Sequence, residues 1–470
     1  MRTQTRSVAL RQESEIDIPR RIRHVAIIGA GFSGSLQAIN LLRHDGPRAT
    51  LIERSHAFGR GVAYSTAHPD HLLNVRAANM SALPDDPDHF ARWLKARHDK
   101  ERGSFAQRTA YGDYLAELLE ETTRRAPDRL ARRQERAVEV SFGQDGAQVM
   151  LDSGEKIHAD AVIIAIGNLT PHDPPGLTRL DLPPDLYVQD PWAADISADL
   201  RDSDDVLIVG TGLTMIDTAL LLEARGFGGR ITALSRRGLL PHAHGASPIP
   251  HAPIAEWPKT TGSALLRQMR ARAAAIGWRE AVDEIRPFTQ AMWLGAPREE
   301  QARFLRHLRP WWDIHRHRLA PEIAGRITAL RDSGRLRIVA GRLAKATSAG
   351  DGVDTIWSAR GSGTRQHAHF RRIINCTGPQ GDLLRTREPL LHLLLAGGHI
   401  RPDAHRLGID VTPQAEAIDA RGNPNPRLLV LGPMTRGAFW EIVAVPDIRQ
   451  QTWAVARRLS QAHWVGGEGL

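Results

Sequence analysis

The sequence predicts an α/β fold of two parallel-sheet units, one inserted into the other, with a helical insertion. Two observations carry that reading. Glycine-rich strand-to-helix turns occur twice, about 180 residues apart, and the elements after each turn recur in the same order. The first turn, Gly29-Ala30-Gly31-Phe32-Ser33-Gly34, follows the apolar run Val25-Ala26-Ile27-Ile28 and precedes Leu36, Ile39 and Leu42 at helical spacing. The second, Gly210-Thr211-Gly212-Leu213-Thr214-Met215, follows Val206-Leu207-Ile208-Val209.

A G-x-G-x-x-G turn between strand and helix suits a pyrophosphate. The first glycine permits the tight turn, the second lets the phosphates approach the backbone, and the third lets helix and strand pack closely. Gly29, Gly31, Phe32, Ser33 and Gly34 therefore form the first candidate site. Glu53, at the end of the next strand and 19 residues beyond Gly34, is placed to accept from a ribose diol, with Arg54 beside it. An acid there favours an unphosphorylated adenosine ribose, as in FAD or NAD. In the second unit the matching strand ends Ser235-Arg236-Arg237. A guanidinium in that place pairs with a 2′-phosphate, so Gly210, Gly212, Leu213, Thr214, Ser235, Arg236 and Arg237 form a candidate NADPH site. NADH stays open, because arginines also stack on adenine.

After the first turn and a helical stretch come Ala137-Val138-Glu139-Val140, Ala147 to Leu151, Lys156-Ile157-His158, and the apolar strand Ala161 to Ile166. The second unit repeats the plan with Leu336 to Ala340, Asp354 to Trp357 and Arg372 to Cys376. The expected organisation is two Rossmann-like dinucleotide-binding domains, the NAD(P)H domain inserted in a discontinuous FAD domain. Residues 22–202 form the first part of the FAD domain, with 170–202 as its Pro- and Asp-rich linker. Residues 203–379 form the NAD(P)H domain, with a helical insertion over about 255–333 whose tryptophans are read as packing. Residues 380–470 return to the FAD domain through the strand Arg427 to Leu431, which enters Gly432-Pro433. A helix from Trp440 to Arg457 is expected to aim its N-terminal dipole at a flavin ring or phosphate.

Composition bounds the alternatives. The chain has 470 residues, 41% apolar and 24% charged, ordinary for a soluble protein. No apolar run reaches the roughly 20 residues of a membrane span, and Met1 to Arg21 is unlike a secretory signal, so the cytoplasm is the expected location. The net charge of +9 comes mainly from arginines spread along the chain, which fits biased codon usage better than a nucleic-acid face. A single cysteine, Cys376, excludes a redox-active dithiol. No metal site is expected: Asp313 and His317 have ligand-like i, i+4 spacing, but among many arginines they read as a solvated helical face.

The order of GAGFSG, Phe58-Gly59-Arg60-Gly61-Val62-Ala63-Tyr64-Ser65, His71-Leu72-Leu73-Asn74-Val75, Tyr111-Gly112-Asp113-Tyr114-Leu115, Leu431-Gly432-Pro433-Met434-Thr435-Arg436-Gly437 and Ala444 to Arg449 resembles the bacterial FAD/NAD(P)-binding family that includes the FAD-dependent urate hydroxylase. More distantly it resembles flavin-containing and N-hydroxylating monooxygenases. The resemblance implies that Gly59 to Tyr64, Gly61 among them, line the flavin and its pyrophosphate, and that Asn74 faces the flavin. It also places Gly432 and Pro433 where related flavoproteins have Gly-Asp, so backbone groups would replace that aspartate at the ribityl chain. The activity implied is NAD(P)H-dependent hydroxylation of a small polar molecule by O2 through a flavin C4a-hydroperoxide, with urate to 5-hydroxyisourate as the best substrate guess. Asn74 is the leading catalytic candidate, with Arg60 and Tyr64 as orienting residues; the alternatives are an Asx turn at Asn74 and plain surface charge at Arg60. A flavin-dependent reductase or oxidase passing electrons to a partner or small acceptor stays open, as does a nucleotide-sensing module without turnover. The sequence does not set the oligomeric state.

Overall fold

The computed structural model describes residues 22–461, apart from 66–67, 69, 179–180, 246–253, 255 and 257. The expectation for Met1 to Arg21 and the last nine residues of the return segment lie outside the described residues. Two sheets dominate. The first has six strands in the order Glu416–Ile418, Pro424–Val430, Ala161–Ile164, His24–Ile28, Arg48–Ile52 and Leu130–Arg133. Its central strands pair in parallel, with Ile28 opposite both Ile52 and Ile164, and Ile164 opposite Val430. Parallel strands covered on both faces must be apolar throughout, and Val25, Ala26, Ile27 and Ala161 to Ile164 are fully buried.

The second sheet has seven strands in the order Arg365–Phe370, Gly352–Ala359, Leu336–Ala349, Arg230–Ser235, Asp205–Val209, Arg372–Asn375 and Tyr187–Val188. The two units differ in one respect. In the first, Leu130–Arg133 stops and a separate three-stranded antiparallel sheet begins at Ala137–Gly143. In the second, Leu336–Ala349 runs through both roles, with its register shifted between Leu343 and Lys345. Tyr187–Val188 also corrects the reading of 170–202 as a plain linker: its buried pair extends the second sheet beside Ile373 and Ile374.

Six α-helices lie between Gly262 and Asp332. The last, Pro321–Asp332, buries Ile323, Ile327 and Leu330 in the core of the second sheet, so the insertion's final helix is a covering helix of that unit. The C-terminal helix spans Val445–Leu459, starting five residues later than expected, because Pro446 fits the first turn of a helix and residues 440–444 form turns. It packs on Phe32–Arg43, where the Asn40 amide donates to Thr452 Oγ1 at 3.2 Å.

The two units are tied together close to the second glycine turn. Helix Leu213–Ala224 carries Asp217, whose carboxylate pairs with Arg108 of the first unit at 2.7 Å, while His71 Nε2 donates to its carbonyl at 3.0 Å. Arg326 bridges Glu223 of that helix at 2.7 Å and Asp70 at 3.1 Å. No helix among the described residues is long and apolar enough to cross a membrane.

Candidate dinucleotide sites and active site

The glycines of the first turn divide by the space around them. Gly29 has φ +100°, and a Cβ there would lie 2.5 Å from Ala165 O; a Cβ at Gly34 would overlap Gly29 O. These two permit the turn and the close packing of helix on strand. Gly31 faces open space, where a Cβ would meet only Gly61 Cα at 3.5 Å. Gly31 also starts helix Phe32–Arg43 with no side-chain cap and no acid in the first turn. Its first amides are thus left to an anion, and the site fits a pyrophosphate. Phe32 contributes backbone only, since its ring packs 6.4 Å from Tyr64 and 6.1 Å from Tyr111.

Glu53 holds this turn in shape. Its Oε2 accepts from the Ala30 N–H at 2.8 Å, and its Oε1 from the Ser55 N–H and Oγ at 3.0 Å. Each oxygen keeps acceptor capacity for a ribose hydroxyl. Arg54 points elsewhere, pairing with Glu388 at 3.2 Å. Gly61 and Gly432 close on the turn from the other side. Gly432 has φ +76°, and a Cβ there would overlap Ser33 Oγ. Its N–H donates to Gln451 Oε1 at 2.8 Å, and Pro433 opens the 3₁₀ turn Gly432–Thr435.

The second turn repeats the plan with one change. Gly210, at φ +122°, has no room for a Cβ against Cys376 O, whereas a Cβ at Gly212 would meet nothing within 4 Å. Helix Leu213–Ala224 begins there without a cap, which leaves the Leu213 and Thr214 amides to an anion. The third glycine is replaced by Met215, which is fully buried in the unit's core. Ser235 is engaged by the protein: its Oγ lies 2.9 Å from Thr211 Oγ1 and accepts from the Gly238 N–H at 3.0 Å. Arg237 donates to Arg306 O at 3.3 Å, whereas Arg236 is exposed.

The three catalytic candidates sit in different surroundings. Arg60 pairs with Asp113 at 2.7 Å on the surface. Tyr64 joins a ring cluster, 4.9 Å from Tyr111, and burial lifts its phenol to about 12. Gly112 lets these elements meet, since a Cβ there would lie 2.7 Å from Tyr64 O. Arg60 and Tyr64 thus both contact the helix Arg108–Arg125. Asn74 is half-buried at the junction of the two units, its carbonyl accepting from His244 Nε2 of the second unit at 2.9 Å. Its carboxamide forms no hydrogen bond among the described residues, and in particular no Asx turn. The lone cysteine is inert: Cys376 is buried, and its thiol is pushed up to about 12.

A second polar cluster was not anticipated. It lies where the helical insertion docks on residues 436–449. Arg286 pairs with Asp447, Arg309 with Asp313 at 3.5 Å, and Arg316 with Glu441 at 3.4 Å; Trp312 Nε1 donates to Glu441 at 3.0 Å. Asp313 and His317 thus belong to this partly open charge cluster rather than to a fully solvated helical face. Burial and the surrounding arginines bring His317 down to about 3. The last helix, expected to aim its N-terminal dipole at a flavin ring or phosphate, carries in its first turn Asp447, held by Arg286. The sequence signal available was the run of arginines in 286–318 beside buried-type tryptophans, which gives no clue to a partner segment more than a hundred residues later.

These features define a protein with two dinucleotide-binding units of Rossmann-like form. Residues 26–169 match a family model described as FAD-NAD(P)-binding, so this segment is an FAD/NAD(P)-binding unit. The chain is 25% identical over 274 residues to the uncharacterized protein YdhS of Escherichia coli (strain K12), covering 50% of this chain and 49% of YdhS. It therefore spans about half the length of the curated relative it matches. Among solved structures, the reduced form of ornithine hydroxylase (PvdA) from Pseudomonas aeruginosa matches with a TM-score of 0.65 at 14% identity, covering 94% of this chain and 99% of that one. The thioredoxin reductase of T. acidophilum matches with a TM-score of 0.52 at 12% identity, covering 93% and 98%. At such identities these likenesses establish the fold.

Proposed function

We propose that this protein is an NAD(P)H-dependent FAD monooxygenase hydroxylating a small polar substrate with O2. FAD occupies the turn backed by Glu53, and NADPH the turn followed by Arg236. When bound, the flavin accepts hydride from NAD(P)H and activates O2, so the protein supplies position and dryness. The observation that carries the reading is Asn74: a half-buried carboxamide with no hydrogen-bond partner among the described residues, at the junction between the two nucleotide units. It would donate a hydrogen bond beside the reacting atoms, while Gly31 and Gly61 give the phosphates access to the backbone. The fold of the ornithine hydroxylase PvdA supports the reading, as does the resemblance to the urate hydroxylase family. Urate is accordingly the first substrate to test.

The thioredoxin reductase likeness favours a second reading, electron transfer to a partner or small acceptor. It lacks a dithiol here, because Cys376 is the only cysteine and is buried. NADPH consumption and hydrogen peroxide release, followed with and without urate and a panel of purines and amino acids, separate the two. Substrate-stimulated NADPH loss with little peroxide supports oxygen insertion. Reduction of artificial acceptors alone overturns it.

A further inference from the structure

Arg436 is the odd charge in the cluster beneath the helical insertion. The guanidiniums of Arg286, Arg309 and Arg316 each face a carboxylate, whereas that of Arg436 makes no ion pair or hydrogen bond among the described residues, and its Nε is buried without a partner. It lies over the ring of Trp440, 4.8 Å from the centroid, with Arg309 at 5.9 Å from the same ring. Burial and the nearby Arg309 bring its pKa down to about 10, so it remains charged at neutral pH. Asp313 and Glu441 lie near enough to favour its charge, but each already faces another guanidinium, so the four guanidiniums of the cluster meet three carboxylates, an excess of one cation that an anion relieves.

The surroundings are partly open to solvent. Arg309 and Asp313, on the insertion's helix Arg309–Arg316, keep 34% and 35% of their side-chain surface open. The wall is stiff: Trp440 stacks on Trp293 at 4.7 Å, and Trp293 Nε1 donates to Gly437 O at 2.7 Å. Arg436 lies four residues beyond Gly432, which abuts Ser33 of the first glycine turn. We infer that Arg436, supported by Arg309 and set against Trp440, receives an anionic group of the substrate, which makes the substrate a small organic anion. The inference rests on the proposed function and narrows its substrate class. A guanidinium suits a planar delocalised anion, because its parallel N–H groups match two acceptor atoms.

The test is equilibrium binding to the flavin-loaded protein in low-chloride buffer, read by thermal shift and by perturbation of the flavin spectrum. Benzoate, urate and glutarate are the anionic probes, with benzamide as the neutral counterpart of benzoate. The wild type should respond to at least one anion and not to benzamide. Arg436→Gln should keep its FAD and weaken that response by about tenfold or more, with partial recovery in Arg436→Lys. Removing the cluster's excess charge should leave the ligand-free variant as stable as the wild type or more so; a structural arginine would lower Tm and leave anion selectivity alone. The inference is overturned if no anion acts on the wild type, if benzamide matches benzoate, if Arg436→Gln keeps the full response, or if that variant loses FAD. Anion binding without any stimulated NADPH loss would instead leave Arg436 in place and end the monooxygenase reading.

Discussion

Gly31 and Gly34 are three residues apart, and their surroundings predict opposite consequences for the same added methyl group. At Gly31 φ is −72° and the new Cβ meets only Gly61 Cα at 3.5 Å, an ordinary contact. Alanine is a poorer N-cap than glycine by about 1 kcal/mol, and the reduced freedom of the unfolded chain returns about 0.4–1 kcal/mol. Gly31→Ala should therefore leave Tm of the flavin-free protein almost unchanged. The same methyl occupies the space assigned to the FAD pyrophosphate. Lengthening two charge-assisted N–H bonds beyond useful range costs about 3 kcal/mol, roughly 150-fold in Kd. At Gly34 the Cβ overlaps Gly29 O, so Gly34→Ala should cost about 3 kcal/mol of folding stability or more. The assay pairs FAD titration by flavin fluorescence with thermal unfolding of the apoproteins. Full flavin content and unchanged affinity in Gly31→Ala would refute the placement of FAD, and so would a loss of affinity that merely tracks a fall in Tm.

Arg236→Ala should reduce the preference of kcat/KM for NADPH over NADH by about tenfold, corresponding to one charge-assisted contact of about 1.5 kcal/mol. Arg237→Ala should do less, because its guanidinium already serves Arg306 O; equal kcat/KM for the two coenzymes in the wild type would sink both expectations. Asn74→Ala should keep FAD and its rate of reduction but lose product per NADPH, through a barrier increase of about 2.7–4 kcal/mol in the oxygen-transfer step, with peroxide released instead. Unchanged coupling in flavin-normalised samples removes the catalytic role. His317 is held neutral when folded, at about 3 against its ordinary 6.5, so the unfolded chain takes up a proton first as pH falls. Its contribution is thus lost progressively below pH 6.5, and His317→Gln should make the acid limb of a stability–pH curve shallower. An acid limb as steep as the wild type's would contradict the burial of His317.

The sequence alone determined the two glycine turns, the strands that feed them and the acid or arginines that follow. These are local features: an apolar run, a turn that needs positive φ, and a helix start are written in adjacent residues, so Gly29, Gly210 and Glu53 lie where their spacing placed them. Asn74 was legible only through resemblance, since nothing in its neighbours marks a carboxamide left without a partner. The contacts of Arg60 and Tyr64 were not legible because a motif gives the backbone path and not the direction of a side chain; Asp113 and Tyr111, on another helix, are their neighbours. The joining of Gly432 to Ser33, of Asp217 to Arg108, and of the arginines at 286–316 to residues 436–447 was decided by tertiary structure alone. Each joins residues a hundred or more positions apart, and the favourable energy of such a charge or glycine contact exists only once both chain segments have been brought to the same place.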